Sequence, residues 1–291
     1  MQEYKEYLTP KTISDALRML SEASGHARLI AGGSDLLLDL RQGRHPPVDL
    51  LVDVNFIPDL QILEQQENSL FIGAAVPLKK VSSSPLVKKH AEALLEASGM
   101  VGGPQVRNSA TLGGNVAHAL PAGDGTIALH ALGAKAEIAS ISGKRIVPIE
   151  TLYKGPGRSA LDPNNDLLIG FHIPLSKNHQ ASAFKRVMRP QGVALPIINM
   201  AAWLERDDNQ IVDVRLAIGP AGPTPQRGIA AEDVLRGKEF ATDLLVEAQK
   251  ALFSSIHFRT SAQRASAEYR VHLCSILFDD VLTLAWQRAL E

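Results

Sequence analysis

Two glycine pairs stand in the segments of this chain best suited to chemistry. In "RNSATLGGNVAHALPAGD" (residues 107–124), Gly113 and Gly114 interrupt a run rich in Ala, Leu and Val, and Pro121, Gly123 and Asp124 follow. In "RLIAGGSDLLLDLR" (28–41), Gly32 and Gly33 follow a short apolar run. Adjacent glycines cost conformational entropy and add no packing, so their use implies that bare backbone must approach something closely. The N–H groups beside such a pair can form a concave donor array, and diphosphate is a common biological anion that needs one. Neither segment has GxGxxG or P-loop spacing, so Rossmann and Walker chemistry find no support. A tight turn is the plainer account of either segment taken alone.

The remaining reactive residues are sparse. His118, His130, His172 and His272 show no pairing at metal-ligand spacing, and no metal site is expected. The single cysteine, Cys274, excludes an internal disulfide and a cluster ligated by this chain alone, since iron–sulfur clusters usually take four thiolates. It falls on the apolar face of a C-terminal helix, where a buried, inert thiol is expected. No set of residues suggests a catalytic acid, base or nucleophile.

The elements that must position the glycines can be placed from periodicity. Thr12 is a cap for a first helix with Asp15 at its third position, and Ile13, Leu17 and Leu20 form its apolar stripe before Gly25. Strands are expected in "ARLI", "DLLVDV", "SLFIGAAV", "AKAEIAS" paired through "ISGK" with "RIVPI", and "DLLIGFHIP", with a helix at about 85–98 between them. Beyond "PLSKNHQASA" the texture changes. Two long apolar strands flank the polar turn "RDDNQ", and amphipathic helices are expected at about 242–255 and 266–290. A domain boundary near 176–182 follows, giving 1–178 and 179–291. No internal repeat stands out.

Composition narrows the function classes. With 291 residues, 45% hydrophobic, and 30 basic against 31 acidic side chains, the chain is expected to form well-cored globular domains. A formal charge of -1 offers no general attraction for nucleic acid. The opening "MQEYKEYLTPKT" lacks an apolar signal core, and "GVALPIINMAAWL" is too short to span a bilayer, so cytoplasmic residence without membrane insertion is the expectation.

Together, the two glycine segments resemble the diphosphate-binding segments of the FAD-binding subunit of molybdenum hydroxylases, the xanthine dehydrogenase and carbon monoxide dehydrogenase group. "LVDVNFIPDL", "FIGAAVPLKKV", "DLLIGFHIP", "ASAFKRVMR", "GPAGPTPQRGIAAEDVLRG" and "RASAEYRVHL" are similar to family segments in family order. The resemblance implies an α+β fold: a two-lobed FAD-binding domain of the vanillyl-alcohol-oxidase (PCMH) type, then a C-terminal antiparallel sheet with helices. It implies FAD held between them, with molybdopterin and [2Fe–2S] clusters confined to a large and a small partner subunit, and NAD or oxygen as electron acceptor.

By the same resemblance, Leu29, Ile30, Ala31, Gly32, Gly33, Ser34, Asp35 and Leu36 would wrap the FAD diphosphate with backbone amides, as would Thr111, Leu112, Gly113, Gly114 and Asn115. Ser34, Thr111 and Asn115 would add side-chain hydrogen bonds. Asp124 would accept from a ribose or adenine-side hydroxyl. Val101, Leu168, Ile169 and Lys185 would lie close to the flavin. A branched side chain at Gly32 or Gly113 should then exclude the cofactor from a folded chain. Without the family match, Asp124 is equally a turn residue, Lys185 a solvated strand residue, and Val101, Leu168 and Ile169 core.

Two departures from the family pattern bear on the cofactor. The first motif has Ser34 where many relatives carry His or Asn, which argues for non-covalent flavin. The second has "ALPAGD" where Ser-Pro-Ala-Ala-Asp is common. One branch of the family inserts a cysteine-bearing cluster loop in this subunit, and a chain with one cysteine is not of that kind. Two alternatives to the electron-transfer subunit stay open: a self-sufficient FAD-dependent reductase or oxidase, and a non-catalytic flavin-binding protein.

Overall fold

A computed structural model describes residues 3–189, 195–262 and 264–290. The chain opens with β1 (Tyr4–Leu8), α1 (Ile13–Glu22), β2 (Ala27–Ile30), α2 (Leu36–Arg41) and β3 (Val48–Asp53). The three strands form a parallel sheet in the order β1-β3-β2. Parallel neighbours need crossover connections, which α1 and α2 supply. The Thr12 hydroxyl caps α1 by accepting from the Asp15 N–H at 3.1 Å, and Ala16, Leu17 and Leu20 are buried.

The second lobe begins with β4 (Leu63–Gln65) and β5 (Ser69–Gly73). Six helices follow: α3 (Leu78–Val81), α4 (Pro85–His90), α5 (Glu92–Met100), α6 (Pro104–Ser109), α7 (Leu112–Ala117) and α8 (Asp124–Ala131). Then come β6 (Lys135–Ser140), β7 (Gly143–Pro148), the short pair β8 (Tyr153–Gly155) and β9 (Arg158–Ser159), and β10 (Leu167–Pro174). The helix expected at 85–98 is two helices, broken at Ala91, whose backbone leaves the helical region at φ -151° and ψ 51°. No Gly or Pro marks that break. Ala91 is fully buried, so packing rather than local propensity sets it.

A five-stranded antiparallel sheet runs β4-β5-β10-β6-β7. Its central strand explains why "DLLIGFHIP" is apolar throughout: Leu168, Phe171 and Ile173 pack into the helices on one side, while Leu167 and Ile169 pack toward the parallel sheet on the other.

The C-terminal part contains β11 (Gln180–Val187), β12 (Ile198–Asp207), β13 (Gln210–Gly219) and β14 (Gln226–Arg227), antiparallel and in sequential order. Helices α9 (Ile229–Leu235), α10 (Thr242–Ser255) and α11 (Ala267–Arg288) complete it. Asp207 pairs with Gln210, and Asp208 takes φ 49° in the two-residue turn, a conformation that Asp tolerates. This sheet is also covered on both faces. Ala183, Met200, Ala202, Leu204, Leu216 and Ile218 meet the C-terminal helices, whereas Phe184, Ala201, Trp203 and Ala217 join the core of the second lobe. That double burial accounts for most of "GVALPIINMAAWL"; Gly192, Val193 and Ala194 of it lie outside the described residues. Among the described residues no helix is long and apolar enough to cross a membrane.

The sheet and the second lobe are also joined by polar contacts. Arg288 of α11 reaches Glu96 of α5 at 2.6 Å and donates to the Ser182 carbonyl at 2.8 Å, while Glu96 accepts the Phe184 N–H at 2.8 Å. Cys274 is fully buried in α11, and burial pushes its thiol up to about 12.

The glycine pairs differ from expectation. A Cβ on Gly113 would lie 2.6 Å from both the Cβ and the carbonyl oxygen of Ala74, just beyond β5. A Cβ on Gly32 would run into the Ser109 carbonyl and lie 2.7 Å from Ala110 Cα. These two glycines approach protein backbone, so a branched side chain there disrupts the fold before it can exclude a ligand. Gly113→Ala is expected to destabilise the chain by about 1–3 kcal/mol through overpacking. Urea unfolding with an unchanged m value is the measurement, and a midpoint equal to wild type contradicts this packing.

Candidate functional site

An open cleft of about 800 Å³ lies where the parallel sheet, the second lobe and the C-terminal part meet. The first glycine segment forms one wall, residues 101–106 and 110–124 another, and the loop 157–166 a third. Arg186, Leu195, Pro196 and Arg264 enter from the C-terminal part. The volume suits a large organic ligand.

The first segment turns from β2 into α2 through Gly33 at φ 65°, a left-handed conformation that glycine adopts without penalty. Among the described residues, the backbone N–H groups of Gly32, Gly33, Ser34 and Asp35 have no internal acceptor. These four donors lie in residues lining the cleft, where an anion satisfies them best.

The second segment is built differently. The N–H groups of Leu112 and Gly113 donate to Val76 and Ala74, that of Gly114 to the Thr111 hydroxyl, and that of Asn115 to the Thr111 carbonyl. The expectation of a second backbone cradle is therefore corrected: these amides serve the fold. What the segment offers the cleft is side chains and bare surface. Asn115 Oδ1 accepts the Thr126 N–H at 3.2 Å, which orients the amide and leaves its Nδ2 hydrogens for a ligand. A Cβ on Gly114 would meet only Thr111 Oγ1, at 3.2 Å, so its other surroundings are open cleft.

Asp124 opens α8 and is 4% exposed. Its Oδ2 accepts from Arg186 Nη1 at 2.5 Å and its Oδ1 from Asn199 Nδ2 at 2.6 Å. Burial pushes the carboxyl up, and Arg186 and Asn199 pull it back. Any cofactor hydroxyl must therefore share a carboxylate already bound on both oxygens. Two other cleft acids are also compensated: Asp39 pairs with Arg44 at 3.1 Å, and Asp166 with Arg145 at 2.7 Å. Arg28, Arg158 and Arg264 line the cleft with no ion pair among the described residues, as do the acids Asp35 and Asp162.

Thirteen of the residues expected from the sequence border this space: Leu29, Ile30, Ala31, Gly32, Gly33, Ser34, Asp35, Leu36, Val101, Thr111, Gly114, Asn115 and Asp124. Five do not. Leu112 and Gly113 pack inward, and Leu168 and Ile169 are buried in β10, where the Ile169 carbonyl accepts the Ala74 N–H. Lys185 stands on the opposite face of β11 from Phe184 and Arg186, because strand side chains alternate. Arg28, Arg158 and Arg186 are among the cleft residues that sequence reasoning missed, although one position of alternation separates Arg186 from Lys185.

A donor-rich anion corner within a long cleft narrows the ligand to a phosphorylated organic molecule, and kinship decides which. Residues 2–176 match the family described as the FAD binding domain in molybdopterin dehydrogenase. The chain belongs to the FAD-binding subunits of the molybdenum hydroxylase family. Residues 182–285 match the CO dehydrogenase flavoprotein C-terminal domain. The FAD subunit is 32% identical over 292 residues to a putative xanthine dehydrogenase FAD-binding subunit of Escherichia coli strain K12, covering 98% of this chain and 97% of that one. It superposes at TM-score 0.93 and 26% identity on a carbon monoxide dehydrogenase chain from Hydrogenophaga pseudoflava, solved without the Mo-pyranopterin moiety of its molybdenum cofactor, covering 99% of both chains. Quinoline 2-oxidoreductase from Pseudomonas putida 86 superposes at TM-score 0.90 and 27% identity, covering 99% of this chain and 98% of that one.

FAD fits the cleft by its donor chemistry: four unpartnered N–H groups and the unpaired guanidiniums of Arg28, Arg158 and Arg264 suit a diphosphate. Gly114→Ala should leave the unfolding midpoint near wild type. It should weaken FAD by about 1–3 kcal/mol, the scale of overpacking by an added methyl group. Titration of apo-protein followed by flavin fluorescence measures this, and undiminished affinity contradicts the close approach at Gly114.

Proposed function

We propose that the FAD subunit is the electron exit of a molybdenum-containing hydroxylase or dehydrogenase. It holds FAD non-covalently between the [2Fe–2S] clusters of a small partner subunit and an acceptor such as NAD or oxygen, while a molybdopterin-binding large subunit oxidises the substrate. Cytoplasmic residence belongs to the same reading, since a nicotinamide acceptor is an intracellular metabolite. So does a division into domains at 1–178 and 179–291, with the cleft between them.

The observation that carries this reading is the unpartnered N–H array of Gly32, Gly33, Ser34 and Asp35 along the cleft. Bound FAD supplies the redox chemistry through its isoalloxazine. The chain's own residues bind and orient. The array and Arg28 and Arg158 neutralise the diphosphate, Asn115 Nδ2 donates to a cofactor oxygen, and Val101 gives apolar surface beside the ring. Among the described residues no group of three or more His, Cys, Asp or Glu is placed to hold a metal.

Co-expression tests the assignment. The isolated chain should carry FAD and reduce an artificial dye from a strong donor, yet oxidise neither a heteroaromatic nor an aldehyde substrate. Substrate oxidation with NAD should appear only with the iron–sulfur and molybdenum subunits present. In a complex carrying flavin-depleted Gly114→Val, NAD reduction should be lost while a dye accepting from the clusters is still reduced. If the isolated chain matched the full complex in substrate turnover, a self-sufficient flavoenzyme would replace this reading.

A further inference from the structure

Arg186 and Asn199 are direct cross-strand partners on β11 and β12. Both direct donors to the same carboxylate, Asp124, which belongs to a helix of the other domain. The Arg186 side chain is 7% exposed and borders the cleft, and its Nη2 rests 3.1 Å from Met188 Sδ. Asn199 also donates to the Ala122 carbonyl at 3.1 Å, so it holds the backbone of the Pro121–Asp124 edge as well as the carboxylate. A buried charge pair is a costly way to join two domains, since apolar packing would serve as well. The same interface already has a second polar join at Arg288 and Glu96, outside the cleft lining.

We propose that Arg186 is a positioning residue of the cofactor cleft: acting through Asp124, it fixes the cleft edge at residues 121–124, so that the C-terminal domain completes the FAD site. This rests on the FAD reading above. Loss of Arg186 leaves Asp124 buried without its counter-charge, and the start of α8, where the Thr126 N–H orients Asn115, is then held by Asn199 alone of the two cross-strand partners.

The test compares two breaks in one interface in the full-length chain. Arg186→Gln should raise the Kd for FAD about tenfold or more, and Arg186→Lys should recover a large part of that loss, because the positive charge is restored. Arg288→Gln should lower the unfolding midpoint while leaving FAD affinity within about twofold of wild type, as expected for a contact remote from the ligand. Apo-protein titrated with FAD gives the Kd, and circular dichroism gives the midpoint. If Arg186→Gln does not fold, Arg186→Lys takes its place, with a loss of about threefold expected, because the charge stays while the guanidinium geometry goes. Wild-type affinity in the folded Arg186 variant, or an equal loss in Arg288→Gln, overturns the proposal. A wild-type chain that takes up no FAD overturns the cofactor reading itself, and this proposal with it.

Discussion

The structure depends on backbone meeting backbone at two glycines. Gly113 lies against Ala74, so the second motif can pair with the segment leaving β5, where its amides bond to Ala74 and Val76. Gly32 lies against Ser109 and Ala110, so the first motif is set directly on the approach to the second. A methyl group at either place would separate three segments that come from distant parts of the chain. Close packing makes such a separation costly, because the surrounding core cannot relax to absorb it. The cleft is the space left beside this junction, and its dimensions follow from it.

The two motifs consequently divide the work. The first keeps its amides free and faces the cleft, whereas the second consumes its amides in the fold and contributes Thr111, Gly114 and Asn115. Side-chain orientation there is inherited from the scaffold: Thr111 is fixed by the Gly114 N–H, and Asn115 by the Thr126 N–H. Groups locked by such second contacts present a ligand with donors already in place, which lowers the ordering cost of binding.

Much of this was legible in the sequence. The cap at Thr12, the hairpin at Asp208, the helix at 242–255 and the long final helix follow from local chemistry, and the structure has them. Twelve of the residues named in the two glycine segments, and Val101 outside them, border the cleft. What escaped was long-range. Nothing in Lys88–Glu92 announces a break at Ala91, because its cause is burial. Nothing local distinguishes Gly113 from Gly114, because the difference is whether Ala74 or open space lies opposite. Lys185 and Arg186 are adjacent bases, and only the facing of β11 tells them apart.

The sheet β11–β14 gives one face to its own helices and the other to the preceding lobe, where Phe184, Ala201, Trp203 and Ala217 share a core with Leu94, Ile127 and Leu129. The matches at 2–176 and 182–285 divide the chain at a connection in sequence, yet no corresponding gap divides the hydrophobic interior. Severed there, the sheet would present a continuous apolar face to water, a surface of the kind that drives aggregation. The covalent seam and the energetic seam are different lines. The two halves are therefore poor candidates for exchange as independent cassettes: a hybrid of two relatives must preserve the shared interior as a matched set, whatever its junction at the loop.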